Sequence, residues 1–411
     1  MPDLRLQPRS RGIADVPGFR LNGAACDVRG KGYDRLDVAL IVSDSPAAAA
    51  GVFTRNAFAA PPVALCREVL AGRARVRAVV ANSGNANACT GARGYEDACR
   101  MQALAAETAG CEPDEVFVCS TGRIGEPLPM DRLARGIALA GAELGSTAAH
   151  GERAADAILT SDTRRKVATV RVKTTAGTIT VAGIAKGAGM IEPGMATMLA
   201  FLATDAVVAP GVLRKAMGDA VDTTFNAITV DGDMSTNDTV LLLANGASGV
   251  RPSGGDLARF REAVRLVCDA LAEKIVGDGE KITKVVELLV SGAASRADAE
   301  AVARAVGNSL LVKSSWYGND PNWGRVLDAA GYARATFDPA RVTLAYADSA
   351  EHKPVPVFAD GVAEPRNKPR WKKIVARPRF TIRLGLGAGR QTYRLLASDL
   401  TEGYVNFNKS E

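Results

Sequence analysis

The chain has 411 residues, of which 47% are hydrophobic and 23% charged, so it is globular rather than disordered, collagen-like or coiled-coil. Its 51 basic and 45 acidic side chains give a net charge of +6 that is spread along the chain, so no nucleic-acid partner is expected. The N-terminus carries no apolar leader and no stretch reaches the roughly 18 apolar residues of a membrane span, which favours a soluble, cytoplasmic protein without membrane contact.

Histidine is scarce, since only His150 and His352 occur, both in polar, loop-like surroundings. A Ser-His-Asp or Cys-His nucleophile would need one of them, and a catalytic zinc with three histidine ligands is impossible. The seven cysteines have no CxxC spacing, which is typical of reduced thiols in a cytosolic protein. No Cys, His and Asp cluster has metal-ligand spacing, so the sequence predicts no metal.

Apolar alternation and glycine punctuation predict an α+β fold with many short strands and a few helices, without the regular alternation of a doubly wound sheet. The pattern predicts strands over 38–42, 76–82 and 116–120, then a hairpin over 166–173 and 178–185. It predicts helices over 95–109, 130–144, 211–223, 257–276 and 297–306. Further strands at 341–348, 379–387 and 393–400 indicate a smaller C-terminal lobe from about residue 310.

Two other segments resemble ligand-binding loops. GLGAGR at 385–390 is rich in glycine, but no helical pattern follows it, so a nucleotide site is not expected. Asp231, Asp233 and Asn237 in DGDMSTND resemble a metal-binding loop, and a structural role in turns is the favoured interpretation.

Residues 183–206, GIAKGAGMIEPGMATMLAFLATDA, pass abruptly from a glycine-rich stretch to an apolar run that begins at Met195. Ala196 and Thr197 lie at the entrance to the predicted strand. Cleavage of their peptide bond would expose a threonine with an Oγ nucleophile and an α-amine, whose ordinary pKa of about 8 lets it act as a base without histidine. From composition alone, a glycine loop followed by a buried strand is the favoured interpretation.

This segment resembles the processing site of the ornithine acetyltransferase family (glutamate N-acetyltransferase), whose precursors split at an Ala-Thr bond into two chains that stay associated. The similarity extends from about residue 18 to residue 408, through the blocks AGVFTRNAFAAPPV (50–63), NSGNANACTG (82–91), STGRIGEPLP (120–129), TVDGDMSTNDTVLLLANG (229–246), GDGEKITK (277–284), DPNWGRVLDAAGYA (320–333) and DLTEGYVNFN (399–408). So many ordered blocks are highly specific.

The resemblance implies layered sheets and helices like those of N-terminal-nucleophile hydrolases. It also implies a division of the chain at the cleavage site, into an alpha chain of residues 1–196 and a beta chain of residues 197–411 that contains the smaller lobe.

The family's functional residues carry over by position. The nucleophile corresponds to Thr197, with cleavage between Ala196 and Thr197, and the oxyanion hole corresponds to Thr121 and Gly122. The implied substrate contacts are Thr160, Lys186, Thr197, Glu280 and Asn408. A cation such as Lys186 suits an α-carboxylate, and an anion such as Glu280 suits an ornithine-like ammonium. Taken singly, each charged residue is more often a solvated charge.

The resemblance implies a self-cleaving acyltransferase that moves acetyl from N-acetylornithine to glutamate through an acetyl-threonine enzyme, in arginine biosynthesis. It implies no metal and no organic cofactor, with acetyl-CoA open as an additional donor. The expected partners are small amino-acid substrates and the two chains of its own precursor, in a heterotetramer with two of each.

Two departures from the family pattern bear on the substrate. Where the family usually carries GEGATK, this chain has GEKITK at 279–284, so Lys281 places a cation beside Glu280 that is expected to weaken binding of cationic substrates. After Asn408, Ser410 is the only hydroxyl available for a final contact. These departures favour an alternative, a paralogue in a specialised pathway that transfers an acyl group between other amino-acid-like amines. A non-catalytic binding or assembly protein is a further hypothesis, but it leaves the joint presence of Ala196-Thr197 and Thr121-Gly122 unexplained.

Overall fold

A computed structural model describes residues 4–72, 75–192 and 198–409. The described residues form two compact units. The N-terminal unit lies within Met1–Gly187, Gly194–Asn226 and Met234–Ile275, and the C-terminal unit lies within Ala188–Pro193, Ala227–Asp233 and Val276–Glu411. In the part of the chain that is described, no helix is both long and apolar enough to span a membrane.

Strands and helices account for most of the described residues. In chain order the strands are β1 Phe19–Ala24, β2 Val38–Phe53, β3 Arg75–Asn85, β4 Val116–Arg123, β5 Lys166–Thr174, β6 Gly177–Lys186, β7 Leu199–Thr204, β8 Ile228–Thr229, β9 Thr239–Ala244, β10 Val285–Ala293, β11 Thr343–Ala347, β12 Val355–Ala359, β13 Val362–Ala363, β14 Arg379–Gly385 and β15 Gln391–Ser398. The helices are α1 Pro61–Gly72, α2 Gly91–Ala109, α3 Met130–Ala142, α4 Ala148–Ala157, α5 Pro210–Thr223, α6 Gly254–Val276, α7 Arg296–Asn308, α8 Leu310–Tyr317, α9 Trp323–Gly331, α10 Lys368–Val375 and α11 Glu402–Phe407.

The N-terminal unit is built on a mixed sheet with the strand order β4-β3-β2-β9-β7-β6-β5, and β1 pairs with β2. Strands β3 and β4 are parallel, as are β7 and β9, whereas β5 and β6 form an antiparallel hairpin. Because β3 and β4 are parallel, their carboxyl ends meet at the same edge of the sheet.

Both faces of this sheet are buried where β2, β3 and β4 pair. Val38 and Leu40 of β2 pack with Leu133 of α3 on one face, whereas Ala39 and Ile41 pack with α4 on the other. Successive side chains of a strand point to opposite faces, so a strand covered on both sides is apolar at every position. This accounts for the unbroken apolar run at the start of β2.

The C-terminal unit contains a second sheet, with the described strands in the order β13-β12-β11-β14-β10-β15-β8. Its core joins Val286, Leu288 and Val290 of β10 to residues of α7 that include Val302 and Val306. The unit therefore begins well before residue 310, because β10 is the strand that pairs with both β14 and β15. The predicted division at residue 197 concerns chain cleavage and stays a prediction.

The α+β prediction is confirmed, and the predicted strands and helices are found within a few residues of their expected bounds, except that the strand predicted over 38–42 continues to Phe53. The elements that were not predicted are helices α1, α4 and α8 to α11 and strands β1, β8, β9, β10, β12 and β13. The prediction also placed His150 in a loop, whereas this residue lies in α4, where its Nδ1 is 2.7 Å from Thr147 Oγ1. Gly151 lies in the same helix with its Cα close to the backbone of Arg11, so tertiary packing overrides the low helix propensity of glycine there.

The contact between β1 and α4 gives a test of the fold. A Cβ at Gly23 would overlap the carbonyl oxygen of Arg153, whereas a Cβ at Gly218, an exposed position of α5, would meet open space. Gly23→Ala is therefore expected to lower the free energy of unfolding by about 1–3 kcal/mol, as overpacking does. Gly218→Ala should raise the free energy of unfolding by up to about 1 kcal/mol, because alanine has a higher helix propensity than glycine. Urea denaturation measures both, and equal effects of the two substitutions would contradict the described packing.

Candidate active site

Thr121 and Gly122 lie at the end of β4, beside Ser83 and Gly84 of β3. Thr121 is buried, and Gly122 has φ +136°, a region that favours glycine. A Cβ at Gly122 would also overlap the backbone of Gly84. The close approach of the two strand ends therefore requires glycine directly after the threonine.

Buried asparagine side chains hold this strand end. Asn237 Nδ2 donates to the carbonyl oxygens of Ala86, at 2.6 Å, and Ser120, at 2.9 Å. Asn82 Oδ1 accepts from Ser120 Oγ at 2.7 Å. Asn237 thus fixes the backbone just before Thr121, and Asn82 fixes the side chain of Ser120.

Neither asparagine was predicted to hold the strand end, since Asn82 had no predicted role and Asn237 only a structural role in a turn. A usable signal was present, because asparagine is seldom buried and Asn82 directly follows the apolar run of β3. A buried amide has to satisfy its hydrogen bonds, so an asparagine at the end of an apolar strand indicates a backbone to which it bonds.

Thr160 belongs to the same region of the N-terminal unit. Together with Ser83, Gly84, Arg29 and Arg35 it lines a cleft of about 20 Å³. Ser83 and Gly84 are the residues that pair with Thr121 and Gly122, so the structure brings Thr160 to the strand ends that carry the predicted oxyanion hole.

Lys186 ends β6, and it forms a buried cluster with Asp162 and Lys166. Lys166 Nζ lies 2.6 Å from Asp162 Oδ1, and Lys186 Nζ lies 3.9 Å from Oδ2 of the same carboxylate. The Asp162 carboxylate also accepts the backbone N–H of Thr160 at 3.0 Å and that of Gly187 at 2.7 Å. Lys186 is therefore an ordered part of the protein interior and not a solvated surface charge.

The charges of this cluster set the ionisation of Asp162. Burial by itself would raise the pKa of its carboxyl, but the ammonium groups of Lys186 and Lys166, with the hydrogen bonds from Lys166 and Thr160, lower it well below the ordinary value. Asp162 is thus ionised at neutral pH.

Glu280 and Asn408 lie together in the C-terminal unit, where Asn408 Nδ2 is 3.4 Å from Glu280 Oε2. The Glu280 backbone N–H donates to the Ala188 carbonyl oxygen at 2.9 Å. A side chain at Gly189 would displace the Glu280 carboxylate, since its Cβ would overlap Oε1. The glycine in this stretch therefore leaves room for the predicted ammonium ligand.

Lys281 has φ +55°, which costs a residue with a side chain about 1 kcal/mol and is natural for the glycine usual in the family. Its side chain is exposed, and its Nζ lies 5.2 Å above the centre of the Phe407 ring. The ammonium is therefore held by an aromatic face and partly screened by water. Its predicted effect on cationic substrates stays a prediction, with a smaller expected size.

Ala196, Thr197 and Ser410 lie outside the described residues. In the part of the chain that is described, no group of three or more His, Cys, Asp or Glu side chains is arranged to hold a metal ion. All seven cysteines are free thiols.

The buried cluster gives a second test. Asp162→Asn should lower the free energy of unfolding by about 3–5 kcal/mol at pH 7, because it removes the charge of a buried carboxylate that pairs with two buried lysines. Asp156→Asn, which removes a half-exposed pair with Arg165 at 2.8 Å, should cost less than about 1 kcal/mol. Urea denaturation at pH 7 compares the two, and a cost for Asp162→Asn no larger than that for Asp156→Asn would contradict the described cluster.

The pH dependence of this contribution follows from the lowered pKa of Asp162. Its stabilising effect is fully present above the unfolded value of about 3.9 and disappears only as the pH falls through the lower folded pKa. The difference between wild type and Asp162→Asn should therefore be constant between pH 7 and pH 5.

Comparison with known proteins gives a consistent result. The ArgJ family matches residues 20–410. A protein from Symbiobacterium thermophilum named arginine biosynthesis bifunctional protein ArgJ is 47% identical over 406 residues, which cover 97% of this chain and 98% of the relative. The ArgJ protein of Geobacter sulfurreducens is 48% identical over 400 residues, covering 96% and 98% of the two chains.

Solved structures of the family also match parts of the chain. Arginine biosynthesis bifunctional protein ArgJ from Bacillus halodurans is 36% identical with a TM-score of 0.44, and the match covers 48% of this chain and 99% of that one. Ornithine acetyltransferase from Mycobacterium tuberculosis, complexed with ornithine, is 38% identical with a TM-score of 0.43, covering 46% and 98%. The family match spans nearly the whole sequence, which confirms the resemblance first seen in its motifs, and the chain belongs to the ArgJ family.

Proposed function

We propose that this chain is a self-cleaving acyltransferase of arginine biosynthesis that moves an acetyl group from N-acetylornithine to glutamate. Relatives at 47% and 48% identity are named as arginine biosynthesis bifunctional proteins, and a solved relative is an ornithine acetyltransferase complexed with ornithine. The observation that carries the proposal is the family match across Ala196-Thr197 together with the strand end that bears the buried Thr121 and Gly122 with positive φ.

Cleavage comes first in the proposed mechanism. Thr197 Oγ attacks the Ala196 carbonyl carbon, the peptide C–N bond breaks, and the Thr197 nitrogen takes up a proton as an α-amine. Water then hydrolyses the resulting ester, which releases the Ala196 carboxylate and regenerates the Thr197 hydroxyl. The products are fragments 1–196 and 197–411.

Transfer then uses the amine that cleavage has exposed. The Thr197 amine accepts the Oγ proton as Oγ attacks the acetyl carbonyl of the donor, and the tetrahedral oxyanion is stabilised by Thr121 and Gly122. The C–N bond of the donor breaks, ornithine leaves with the proton on its nitrogen, and acetyl-Thr197 remains. The amine of glutamate attacks this ester, and N-acetylglutamate leaves as the proton returns to Oγ.

Substrate binding follows the charges that the two units carry. In the N-terminal unit the Lys186 ammonium, which lies in a buried cluster with Asp162 and Lys166, suits the α-carboxylate that donor and acceptor share. The Thr160 hydroxyl, beside the strand ends of β3 and β4, is a further hydrogen-bonding group. In the C-terminal unit Glu280, with Asn408, suits the side-chain ammonium of ornithine.

No cofactor or metal takes part in this mechanism, because threonine, its amine and the oxyanion hole supply every proton and bond change. Acetyl-CoA is the additional donor to test beside N-acetylornithine. The two fragments are expected to stay together, with two copies of each in a heterotetramer.

A paralogue that acts on other amino-acid-like amines is the second candidate, and the observation that favours it is Lys281. A residue with a side chain occupies a left-handed position at the predicted ammonium site, where glycine is usual. Assaying a panel of N-acetyl amino acids as donors separates the two candidates, since a paralogue would ignore N-acetylornithine.

Self-cleavage is the first prediction of the proposed function. Purified wild-type protein should appear by intact-mass analysis as fragments 1–196 and 197–411, whereas Thr197→Ala should remain a single chain because no Oγ is present to attack. Wild-type protein that stays uncut after prolonged incubation would contradict the proposed mechanism.

The oxyanion hole gives a separate prediction. Thr121→Val keeps the side-chain shape and removes the hydroxyl, so kcat of acetyl transfer should fall about 10²–10³-fold with little change in KM. Thr108→Val removes a hydroxyl that bonds within helix α2 and should leave kcat within about twofold of wild type. Equal kcat values for the two variants would exclude a catalytic role for the Thr121 hydroxyl.

Lys281 gives a prediction about specificity. Lys281→Gly should lower KM for N-acetylornithine up to about fivefold, because an exposed cation near the ornithine ammonium repels it weakly, and should leave KM for glutamate unchanged. The effect should vanish in 0.5 M salt, where the charges are screened. An N-acetylornithine KM that does not respond to the substitution at low salt would show that Lys281 has no part in substrate choice.

A further inference from the structure

Residues on the N-terminal side of the predicted cleavage segment bond to the carboxylate of Asp231. Its Oδ2 accepts the backbone N–H of Met190 at 2.6 Å, and its Oδ1 accepts that of Ile191 at 2.8 Å. The neighbouring Val230 N–H donates to the Ile191 carbonyl oxygen at 2.8 Å. Within the C-terminal unit, the chain that leads to the cleavage segment is therefore fixed through its backbone.

The residue on the other side of that segment bonds to a second carboxylate. Met198, which a peptide bond joins to Thr197, donates its N–H to Asp238 Oδ1 at 2.9 Å. The Met198 carbonyl oxygen accepts from the Thr239 N–H at 3.1 Å, next to the start of β9. Within the N-terminal unit, the first described residue of the predicted beta chain is thus held by Asp238 and its neighbour.

The burial of Asp238 at this position costs free energy. Its side chain is fully buried, and Oδ2 accepts no hydrogen bond from any described residue. Burial raises the pKa of its carboxyl above the ordinary value. The Met198 N–H and the nearby Lys186 ammonium act in the opposite direction and lower this pKa, so the bond to Met198 is one of the contacts that offset the cost of burying the carboxyl.

We propose that Asp231 and Asp238 are positioning residues for self-cleavage that hold the two ends of the cleavage segment. Asp231 fixes the end of the future alpha chain, and Asp238 fixes the residue after the nucleophile. The inference rests on the proposed function, because it presumes cleavage between Ala196 and Thr197. It gives the DGDMSTND segment a role that the metal-loop and turn interpretations lack.

The physical reason is the geometry of the attack. Cleavage requires Thr197 Oγ to meet the carbonyl carbon of the preceding residue, and each restraint on the backbone next to the segment lowers the entropy lost in reaching that arrangement. Hydrogen bonds from backbone N–H groups to a carboxylate are stronger than those between neutral groups, so they suit this restraint. After cleavage, Asp238 still orients the residue next to the new Thr197 amine, whereas Asp231 holds only the end of the alpha chain.

The test follows cleavage of newly synthesised full-length chains by intact mass after a pulse of expression. Asp238→Ala and Asp231→Ala should each slow cleavage at least about tenfold, the effect of losing a hydrogen bond to a charged group. Asp238→Asn keeps an oxygen for the Met198 N–H and should cleave within about threefold of wild type. Asp233→Ala, an exposed change in the same segment, is the matched control and should cleave at the wild-type rate.

A second measurement separates positioning from general damage to the fold. In Asp238→Ala, the kcat of acetyl transfer per cleaved molecule should fall by about the same factor as the cleavage rate. In Asp231→Ala, this kcat should fall by a much smaller factor than the cleavage rate. Asp231→Asn keeps one of the two acceptor oxygens and should cleave at an intermediate rate. It replaces the alanine variant in the test if the melting temperature of that variant is far below that of the wild type.

Each outcome is decisive for one of the two claims. An uncut wild-type chain would overturn the proposed function. A wild type that cleaves together with alanine variants that cleave equally fast would overturn the positioning inference alone. If Asp238→Asn is as slow as Asp238→Ala, the acidity of Asp238 matters and not its bond to Met198, which also overturns the inference.

Discussion

A buried polar group must find its hydrogen bonds inside the protein, and this requirement fixes the backbone around the candidate site. The Asn237 amide can be buried because it bonds to the carbonyl groups of Ala86 and Ser120, which places the strand end that bears Thr121. The Asp162 carboxylate can be buried because two lysines and the backbone near Thr160 surround it. In both cases the group that is costly to bury determines where its partners lie.

The same requirement links the fold to a chemistry without histidine. The two histidines of the chain are surface residues that bond to nearby hydroxyl groups, His150 to Thr147 and His352 to Ser349. A nucleophile that supplies its own base after cleavage needs neither of them. What the fold has to provide instead is an oxyanion site, a cation for the carboxylate and a fixed backbone around the nucleophile. The described residues present candidates for each.

Much of this fold could be predicted from the sequence, because buried strands such as the start of β2 are apolar at every position and helices such as α3 show a clear apolar face. The family could be recognised because its motifs occur in order over nearly the whole chain. Helix α4 could not be predicted, because Gly151 and His150 are not typical of a helix. The segment is helical because it packs against the N-terminal residues.

The contacts within the site were the part least accessible from sequence. Lys186 and Glu280 could be named as charges of the right sign, but neither the pairing of Lys186 with Asp162 nor the need for glycine at 189 follows from local pattern. Both depend on residues brought together by strand pairing and loop closure. Asn82 and Asp238 were overlooked for a related reason, because their roles lie in distant groups that they bond to, the Ser120 hydroxyl and the Met198 N–H.

In the proposed mechanism, Thr197 carries the acetyl group between donor and acceptor. The most direct test is to incubate purified protein with N-acetylornithine alone and to determine the mass of the peptide that begins at Thr197. The account predicts that this peptide gains one acetyl group, held as an ester on Oγ, and loses it when glutamate is added. An active enzyme that transfers acetyl to glutamate while this peptide never becomes acetylated would contradict it and show direct transfer between the two substrates.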